Sequence, residues 1–202
     1  MNRFDTFAGV WDEKPERIRG ARNIYEAICE KVKISGNETV ADYGTGTGLL
    51  LIHFQQVVKE IHGYDNSLSM LSELEQKIQN HTLENVKTVY HDADFEDLPS
   101  QKFDLFVSSM TFHHISNISE FIGKAYKSLK SGGKFAIADL ETEDGTFHSD
   151  PDESIKHLGF DKNEFAQIME KTGFTAVECK TIFSIPKEDK SYNVFLAYGE
   201  KA

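Results

Sequence analysis

Cysteine and proline are scarce in this chain of 202 residues, which contains two of the first and four of the second. Cys29 and Cys179 stand far apart in the sequence, which is unlike a disulfide framework or the clustered thiols of a zinc site. No apolar run approaches the roughly 20 residues that a membrane helix needs. The first 20 residues lack the apolar core and cleavage pattern of an export signal. We therefore expect a globular protein of the cytoplasm that does not span a membrane.

Positive charge is also in deficit, with 22 Lys and Arg against 33 Asp and Glu, and the formal net charge is −11. Such a surface repels phosphate backbones and anionic lipid. The one basic stretch, residues 14–22, is interpreted as a solvated helix face. Nucleic acid is thus disfavoured as a substrate, and a small molecule is the expected partner of a monomer or homodimer.

The most informative segment is VADYGTGTG, residues 40–48. A buried strand ends in the acidic residue Asp42, and glycines then alternate at Gly44, Gly46 and Gly48, ahead of an apolar run with helical spacing. Glycines at such a junction permit positive φ and the close approach of a ligand. The helix start behind them offers unpaired N–H groups. The segment predicts a binding site for a nucleotide-type ligand.

The spacing of these glycines distinguishes between nucleotide ligands. The dinucleotide fingerprint G-x-G-x-x-G requires a third glycine where this chain has Leu49. The observed pattern, D-x-G-x-G-x-G, resembles the first motif of the class I methyltransferases that use S-adenosylmethionine. Asp42, Gly44, Gly46 and Gly48 match that motif position by position. A nicotinamide-dependent oxidoreductase remains an alternative, as does a protein that binds S-adenosylmethionine without transferring its methyl group.

The segments that follow fit the same resemblance as far as residue 140. Asp65 ends a second strand, where a carboxylate can accept hydrogen bonds from both ribose hydroxyls. In the acidic loop after the third strand, the resemblance implies an aspartate that accepts from the adenine amino group. Asp92 with Ala93 is the preferred pair; Asp94 with Phe95 is the alternative, because its distance from the following Leu-Pro fits better. The implied contacts of S-adenosylmethionine are Asp42, Gly44, Thr45, Gly46, Gly48, Asp65, Asn66, Asp92, Ala93, Asp94 and Ser109.

The alternation of strands and helices through residue 140 predicts a parallel sheet with right-handed crossovers. Helices are predicted over residues 49–59, 67–80 (capped by Asn66 or Ser67), 117–129 and 161–173. Two β-rich runs around PKEDK predict a terminal hairpin. The expected fold is α/β, a Rossmann-like three-layer sandwich with a mostly parallel seven-stranded sheet and a C-terminal antiparallel hairpin. We expect one domain over residues 1–202, made of an N-terminal lid and helix (1–36), a cofactor core (37–140), a substrate-side insertion (141–160), and a helix with the hairpin (161–202).

The N-terminal part is rich in aromatic residues for its length. Phe4, Phe7 and Trp11 either cover an exposed sheet face or belong to a lid over cofactor and substrate, with Phe7 and Trp11 as its apolar contacts. The helix behind them carries an apolar stripe, made of Ile18, Ala21, Ile24 (or Tyr25) and Ile28.

Methyl transfer from a sulfonium is an in-line displacement, so the protein mainly positions the acceptor and excludes water. If a base is used, histidine suits neutral pH. His113 and His114 follow the fourth strand, and we expect only one to face the site because successive side chains of an extended segment point opposite ways. Asp139 ends the fifth strand, and His148 lies in the insertion.

Catalytic or substrate-positioning roles are assigned to His113, Asp139 and His148. The insertion also carries Glu141, Glu143, Asp144 and His157, which could orient a cationic or hydroxylated acceptor or form an ordinary exposed acidic loop. No metal site is predicted, because no tight pair of ligands appears.

Overall fold

The computed structural model describes residues 3–148 and 154–202. The predicted insertion therefore includes five residues, 149–153, that lie outside the described part. The strands are β1 Thr39–Tyr43, β2 Glu60–Asp65, β3 Val86–Tyr90, β4 Phe103–Ser109, β5 Leu129–Leu140, β6 Phe174–Lys187 and β7 Lys190–Lys201. The α-helices are α1 Arg3–Phe7, α2 Pro15–Lys31, α3 Leu51–Gln55, α4 Leu68–His81, α5 Ile118–Ser128 and α6 Lys162–Thr172. Two 3₁₀ turns cover Ala8–Glu13 and Phe112–His114.

The seven strands form one sheet in the order β3-β2-β1-β4-β5-β7-β6. The first five strands are parallel, and β7 pairs antiparallel with both β5 and β6. The predicted mixed sheet with its terminal hairpin is confirmed. The strand order reverses direction between β1 and β4, and ligands of open α/β sheets bind at the carboxyl ends of the strands at such a point.

Helices cover both faces of the sheet, which gives three layers. On one face, Ile24 of α2, Leu51 of α3 and Leu74 of α4 are buried in a common apolar cluster. On the other face, Phe121 of α5 and Phe165 of α6 belong to a second cluster rich in aromatic rings. None of the described helices has the length and apolar character needed to cross a membrane.

Local signals set most helix ends as predicted. The side chains of Ser67, Asn117 and Asp161 accept hydrogen bonds from the first-turn N–H groups of α4, α5 and α6. Gly173 ends α6 in the left-handed conformation, with φ of 111°. Of the two cap candidates for α4, Ser67 is the one used.

Three expectations about where helices and strands end are wrong. Helix α3 ends at Gln55 and not near residue 59, because the Asn85 side-chain amide donates to the carbonyl oxygens of Gln55 and Val58 at the helix end. Strand β1 continues through Asp42 to Tyr43, and β5 continues one residue beyond Asp139.

The apolar stripe of α2 is also shorter than expected. Ala21, Ile24 and Ile28 are buried, but 45% of Ile18 is exposed. The first turn of α2 packs against the preceding segment and not against the sheet, since the Arg17 guanidinium lies 3.5 Å from the centre of the Trp11 ring.

Replacing Phe195 by alanine tests the contribution of the hairpin to the core. Phe195 is fully buried in β7, and its ring centre lies 5.4 Å from that of Phe165. The cavity left by Phe195→Ala should lower the free energy of unfolding by about 3–5 kcal/mol. Urea denaturation measures this change, with the exposed Ile18→Ala as control, which should stay within about 0.5 kcal/mol of the parent. Equal midpoints for the two variants would contradict the packing described.

Candidate functional site

The loop after β1 adopts a conformation that only glycine takes easily. Gly44, Gly46 and Gly48 have φ of 68°, 55° and 86°. A Cβ on Gly44 would lie 2.1 Å from the Thr111 side chain, which excludes any larger residue there. A Cβ on Gly46 would meet nothing nearer than a sulfur atom at 4.0 Å. The loop therefore packs closely against the turn after β4 at its first glycine and faces open space at its second.

The Asp65 carboxylate joins this loop to the end of β2. Its Oδ2 accepts the Gly46 N–H at 2.8 Å, and its Oδ1 accepts the Ser67 N–H at 2.8 Å. Burial raises the pKa of Asp65, and these backbone donors offset part of that effect. Asn66, between Asp65 and Ser67, is exposed. The predicted ribose acceptor thus lies beside the glycine loop.

Asp42 is a buried carboxylate with one oxygen unused. Only 1% of the residue is exposed. Oδ2 accepts the Thr45 hydroxyl at 2.7 Å, whereas Oδ1 has no hydrogen-bond partner among the described residues. Burial raises the pKa of Asp42 to about 7; the Thr45 hydrogen bond opposes this shift, and the nearby charge of Asp65 adds to it. A cationic group near Oδ1 would compensate the carboxylate charge.

The acidic loop after β3 brings the two candidate aspartates to different surroundings. Asp94 accepts the Ser116 hydroxyl at 2.7 Å and is thereby turned toward the start of α5. Asp92 lies two residues closer to β3 and accepts the Asp94 N–H at 3.0 Å. Phe95 is 85% exposed and does not pack into the crevice. The geometry favours Asp92 with Ala93 over Asp94 with Phe95.

The turn after β4 contains a contact that sequence reasoning missed. The Thr111 hydroxyl lies 3.3 Å from the Gly44 carbonyl oxygen and 3.0 Å from that of Ser109, the strand-end residue predicted to contact the cofactor. Met110, between Ser109 and Thr111, has a φ of 55°, which is a sparsely populated backbone conformation for a residue of this size. The sequence offered one signal, a hydroxyl residue just past a buried strand. Thr111 fixes the position of the next turn relative to the glycine loop.

His113 and Asp139 form a buried pair in that next turn. Nδ1 of His113 lies 2.7 Å from Oδ1 of Asp139, and the side chains are 2% and 0% exposed. Oδ1 also accepts the Leu140 N–H at 2.7 Å. Burial would raise the pKa of Asp139, but its contacts with His113 and its hydrogen bond from the Leu140 N–H outweigh that effect, so the pKa is lowered. The carboxylate is therefore ionised at neutral pH.

Three imidazoles meet at this point. The His113 ring centre lies 4.1 Å from that of His114 and 5.3 Å from that of His148. The expectation that His113 and His114 point opposite ways is wrong, because they share a 3₁₀ turn and not an extended segment. Burial and the neighbouring His113 lower the pKa of His114 to about 4, so His114 is neutral. The insertion brings His148 to the predicted catalytic pair.

The acidic side chains of the insertion do not join this cluster. Glu141 accepts the Thr181 hydroxyl and pairs with Lys162 at 2.9 Å. Glu143 accepts backbone N–H groups of its own loop, at residues 145–147, and Asp144 pairs with Lys190 at 2.6 Å. These carboxylates stabilise the loop and its contacts with the hairpin, and Asp139 is the carboxylate that contacts the histidines. His157 Nε2 lies 2.9 Å from the Ile115 carbonyl oxygen.

The N-terminal segment crosses the glycine loop. The Asp12 carboxylate accepts the Thr47 hydroxyl at 2.6 Å and forms an ion pair with Lys77. Lys77 Nζ also donates to the Thr47 carbonyl oxygen at 2.7 Å. Thr47 lies between the second and third glycines, so this segment is attached directly to the loop.

Aromatic contacts extend the same segment to the histidines. Phe4 packs edge-on against Trp11, with ring centres 5.7 Å apart, and against His114 at 5.1 Å. Of the two apolar contacts expected, Trp11 is engaged, whereas Phe7 is 43% exposed. Phe4 also joins the segment to the histidine cluster through these ring contacts.

The described residues contain no group of three His, Cys, Asp or Glu side chains arranged to hold a metal ion. The histidine cluster includes one carboxylate, Asp139, which is already bonded to His113.

Comparison with known proteins establishes the family. A model of the family described as "Methyltransferase domain" matches residues 34–173. An uncharacterized methyltransferase of Schizosaccharomyces pombe is 29% identical over 69% of this chain and 54% of its own length. One of Anoxybacillus flavithermus is 31% identical over 67% of this chain and 65% of its own. The chain thus spans between about half and two thirds of the length of these two relatives.

A solved structure supports the same assignment at the level of the fold. A S-adenosylmethionine-dependent methyltransferase from Aquifex aeolicus superposes with a TM-score of 0.73 at 20% identity, over 98% of each chain. The architecture is that of the Rossmann-like methyltransferases. The chain belongs to the class I S-adenosylmethionine-dependent methyltransferase family.

The raised pKa of Asp42 predicts how stability without ligand depends on pH. A folded-state pKa of about 7, against an ordinary 3.8, means that the folded protein binds the extra proton. Stability should therefore fall as the pH rises from about 4 to about 7. Asp42→Asn should remove this loss and raise the free energy of unfolding above neutral pH by on the order of 2–4 kcal/mol.

Urea unfolding at mildly acidic and mildly alkaline pH measures the effect. The matched control is Asp189→Asn, at an exposed position in the hairpin turn. Parallel pH dependence in the parent and Asp42→Asn would show that Asp42 is not the group responsible.

Proposed function

We propose that this protein is a S-adenosylmethionine-dependent methyltransferase that transfers a methyl group to a small-molecule acceptor by in-line displacement. One observation carries the proposal: left-handed glycines at the β1–β4 switch point, with the Gly46 N–H held by the Asp65 carboxylate. This arrangement leaves open space at Gly46, where a ligand can approach the backbone.

The residues around this loop fit the cofactor in charge and in hydrogen bonding. Asp42, with its unpaired buried oxygen, would face the positively charged amino group of the amino-acid part. Asp65 and Asn66 would hold the ribose, and Asp92 with Ala93 would hold the adenine, with Asp94 as the alternative. Gly44, Thr45, Gly46, Gly48 and Ser109 would line the path between them.

Bound S-adenosylmethionine supplies a methyl group already activated on a positively charged sulfur. The protein then needs to hold the acceptor in line and to keep water out. Residues 1–36 would act as a lid, since Asp12 is bonded to Thr47 of the loop and Phe4 contacts His114. The described part of the predicted insertion, residues 141–148 and 154–160, would form the opposite wall, with His148 beside the acceptor.

The net charge supports a small acceptor over a nucleic acid, and the free thiols support a location in the cytoplasm. The net charge of −11 opposes binding to a phosphate backbone. Cys29 and Cys179 are both free thiols, which agrees with a reducing cytoplasm. A monomer or a homodimer is compatible with the site, because the proposed contacts all come from one chain.

Thermal shift and calorimetry test the cofactor assignment. S-adenosylhomocysteine should raise the melting temperature and NADH should not, because only a ligand of the folded state stabilises it. Asp65→Asn should weaken S-adenosylhomocysteine binding by roughly 10- to 100-fold, the cost of losing charge-assisted hydrogen bonds. Asp189→Asn, in the exposed turn, is the control and should bind normally.

The same experiments separate the alternatives. Stabilisation by NADH alone would indicate an oxidoreductase. Binding of S-adenosylmethionine with no S-adenosylhomocysteine formed against any acceptor pool would indicate a binding protein. An unchanged affinity in Asp65→Asn would remove Asp65 from the cofactor site.

A further inference from the structure

The buried pair of His113 and Asp139 sets the proton positions on the His113 ring. Both oxygens of Asp139 accept backbone N–H groups, Oδ1 from Leu140 at 2.7 Å and Oδ2 from His113 at 3.3 Å, so the carboxylate acts as an acceptor. Its contact with Nδ1 of His113, at 2.7 Å, therefore requires a hydrogen on Nδ1. In the neutral ring the other nitrogen, Nε2, then carries a lone pair and no hydrogen. Asp139 thus fixes His113 in the tautomer that accepts a proton at Nε2.

Nε2 of His113 has no hydrogen-bond partner among the described residues, although the atom is buried. Buried polar atoms are nearly always paired, so an unpaired acceptor here points to a group supplied by a ligand. An acceptor nitrogen is satisfied by an O–H or N–H donor, and not by a carbonyl or a carboxylate.

The turn that carries this nitrogen starts at the residue that contacts the glycine loop. The Thr111 hydroxyl is within 3.3 Å of the Gly44 carbonyl oxygen. Thr111 is the first flanking residue of the 3₁₀ turn, and His113 follows it by two residues. A substrate bonded to Nε2 would therefore lie at the end of the glycine loop where the methyl group is expected.

The surroundings favour a neutral acceptor over a cation. The insertion carboxylates that could have balanced an ammonium group pair instead with lysines or with their own loop. Asp139 is fully buried behind His113. Two aromatic rings border the cluster, because Phe4 packs on His114 and Phe147 on His148. The polar contact of His114 is with Ser154, whose carbonyl oxygen lies 3.0 Å from Nδ1. Such a site suits a planar hydroxylated molecule.

We propose that His113 is a catalytic base for an acceptor that carries a hydroxyl group, such as a phenol, and that Asp139 is its positioning residue. The hydroxyl proton moves to Nε2 of His113, and an oxygen lone pair forms the O–CH₃ bond. The methyl–sulfur bond breaks and its electron pair returns to the sulfur, which becomes a neutral thioether. His113 then releases the proton to water. This inference rests on the proposed function.

The first measurement uses the protein without cofactor. In ¹⁵N spectra of histidine-labelled protein, the neutral ring of His113 should carry its hydrogen on Nδ1 and not on Nε2. Asp139→Asn should reverse this, because the Asn amide donates to Nδ1 and moves the proton to Nε2. An Nε2–H tautomer in the parent would overturn the proposal.

The second measurement compares two phenols that differ in ionisation, 4-methylphenol and 4-nitrophenol, with benzylamine and aniline as amine counterparts. His113→Gln should reduce transfer to 4-methylphenol by about 10²- to 10⁴-fold, the usual contribution of a general base. The loss should be much smaller for 4-nitrophenol, which ionises readily without a base. Asp139→Asn should show the same pattern, and His81→Gln, on the exposed end of α4, should match the parent. A purely structural defect would slow both phenols equally.

Calorimetry with S-adenosylhomocysteine separates the two proposals. His113→Gln and Asp139→Asn should bind it as the parent does; a parent that fails to bind it contradicts the proposed function itself. If the parent binds it but methylates only the amines, or if His113→Gln slows both phenols equally, the assignment of base and acceptor class is wrong.

Discussion

The site depends on the Asp65 carboxylate, which holds the N–H groups of Gly46 and Ser67 at the same time. One side chain thereby fixes the end of β2, the middle of the glycine loop and the start of α4. With the loop held, Gly44 packs against Thr111 without room for a Cβ. The turn that carries His113 is positioned by that contact. The residues proposed for the cofactor and those proposed for the acceptor are thus linked through the backbone of the glycine loop and of the turn after β4.

The two buried carboxylates of the site, Asp139 and Asp42, differ in how their negative charge is compensated. Asp139 is compensated by His113 and keeps a lowered pKa. Asp42, equally buried, accepts the Thr45 hydroxyl and has no imidazole beside it in the described part of the chain, and burial raises its pKa. An uncompensated buried carboxylate costs stability unless a cation joins it. The proposed cofactor carries positive charge on its amino group and its sulfur, so the imbalance is at the end of the crevice where such a ligand would remove it.

Structural features that depend on neighbouring residues could be predicted from the sequence. Features that depend on contacts between distant residues could not. The glycine turns, the caps at Ser67 and Asp161 and the hairpin depend on residues a few positions apart. The early end of α3 depends on Asn85, thirty positions further along the chain.

The directions of the side chains in the site could not be predicted either, because they depend on local geometry and partners that the sequence does not reveal. His113 and His114 lie together because a 3₁₀ turn replaced the expected extended segment. The insertion carboxylates pair with lysines of α6 and β7, so they point away from the histidines. No pattern in the sequence of the insertion encodes those partners.

The antiparallel pairing of β5 with β7 separates two groups of site residues within the sheet. Asp139 pairs in register with Phe195 of β7, whereas Asp42 and Asp65 lie on strands that β6 and β7 do not touch. Substitutions in the hairpin therefore act directly on the strand of Asp139 and reach the glycine loop through β4 and the packing of Thr111 against Gly44. The surroundings of the residues proposed for the acceptor can thus change at one margin of the sheet, with no substitution in the strands proposed for the cofactor.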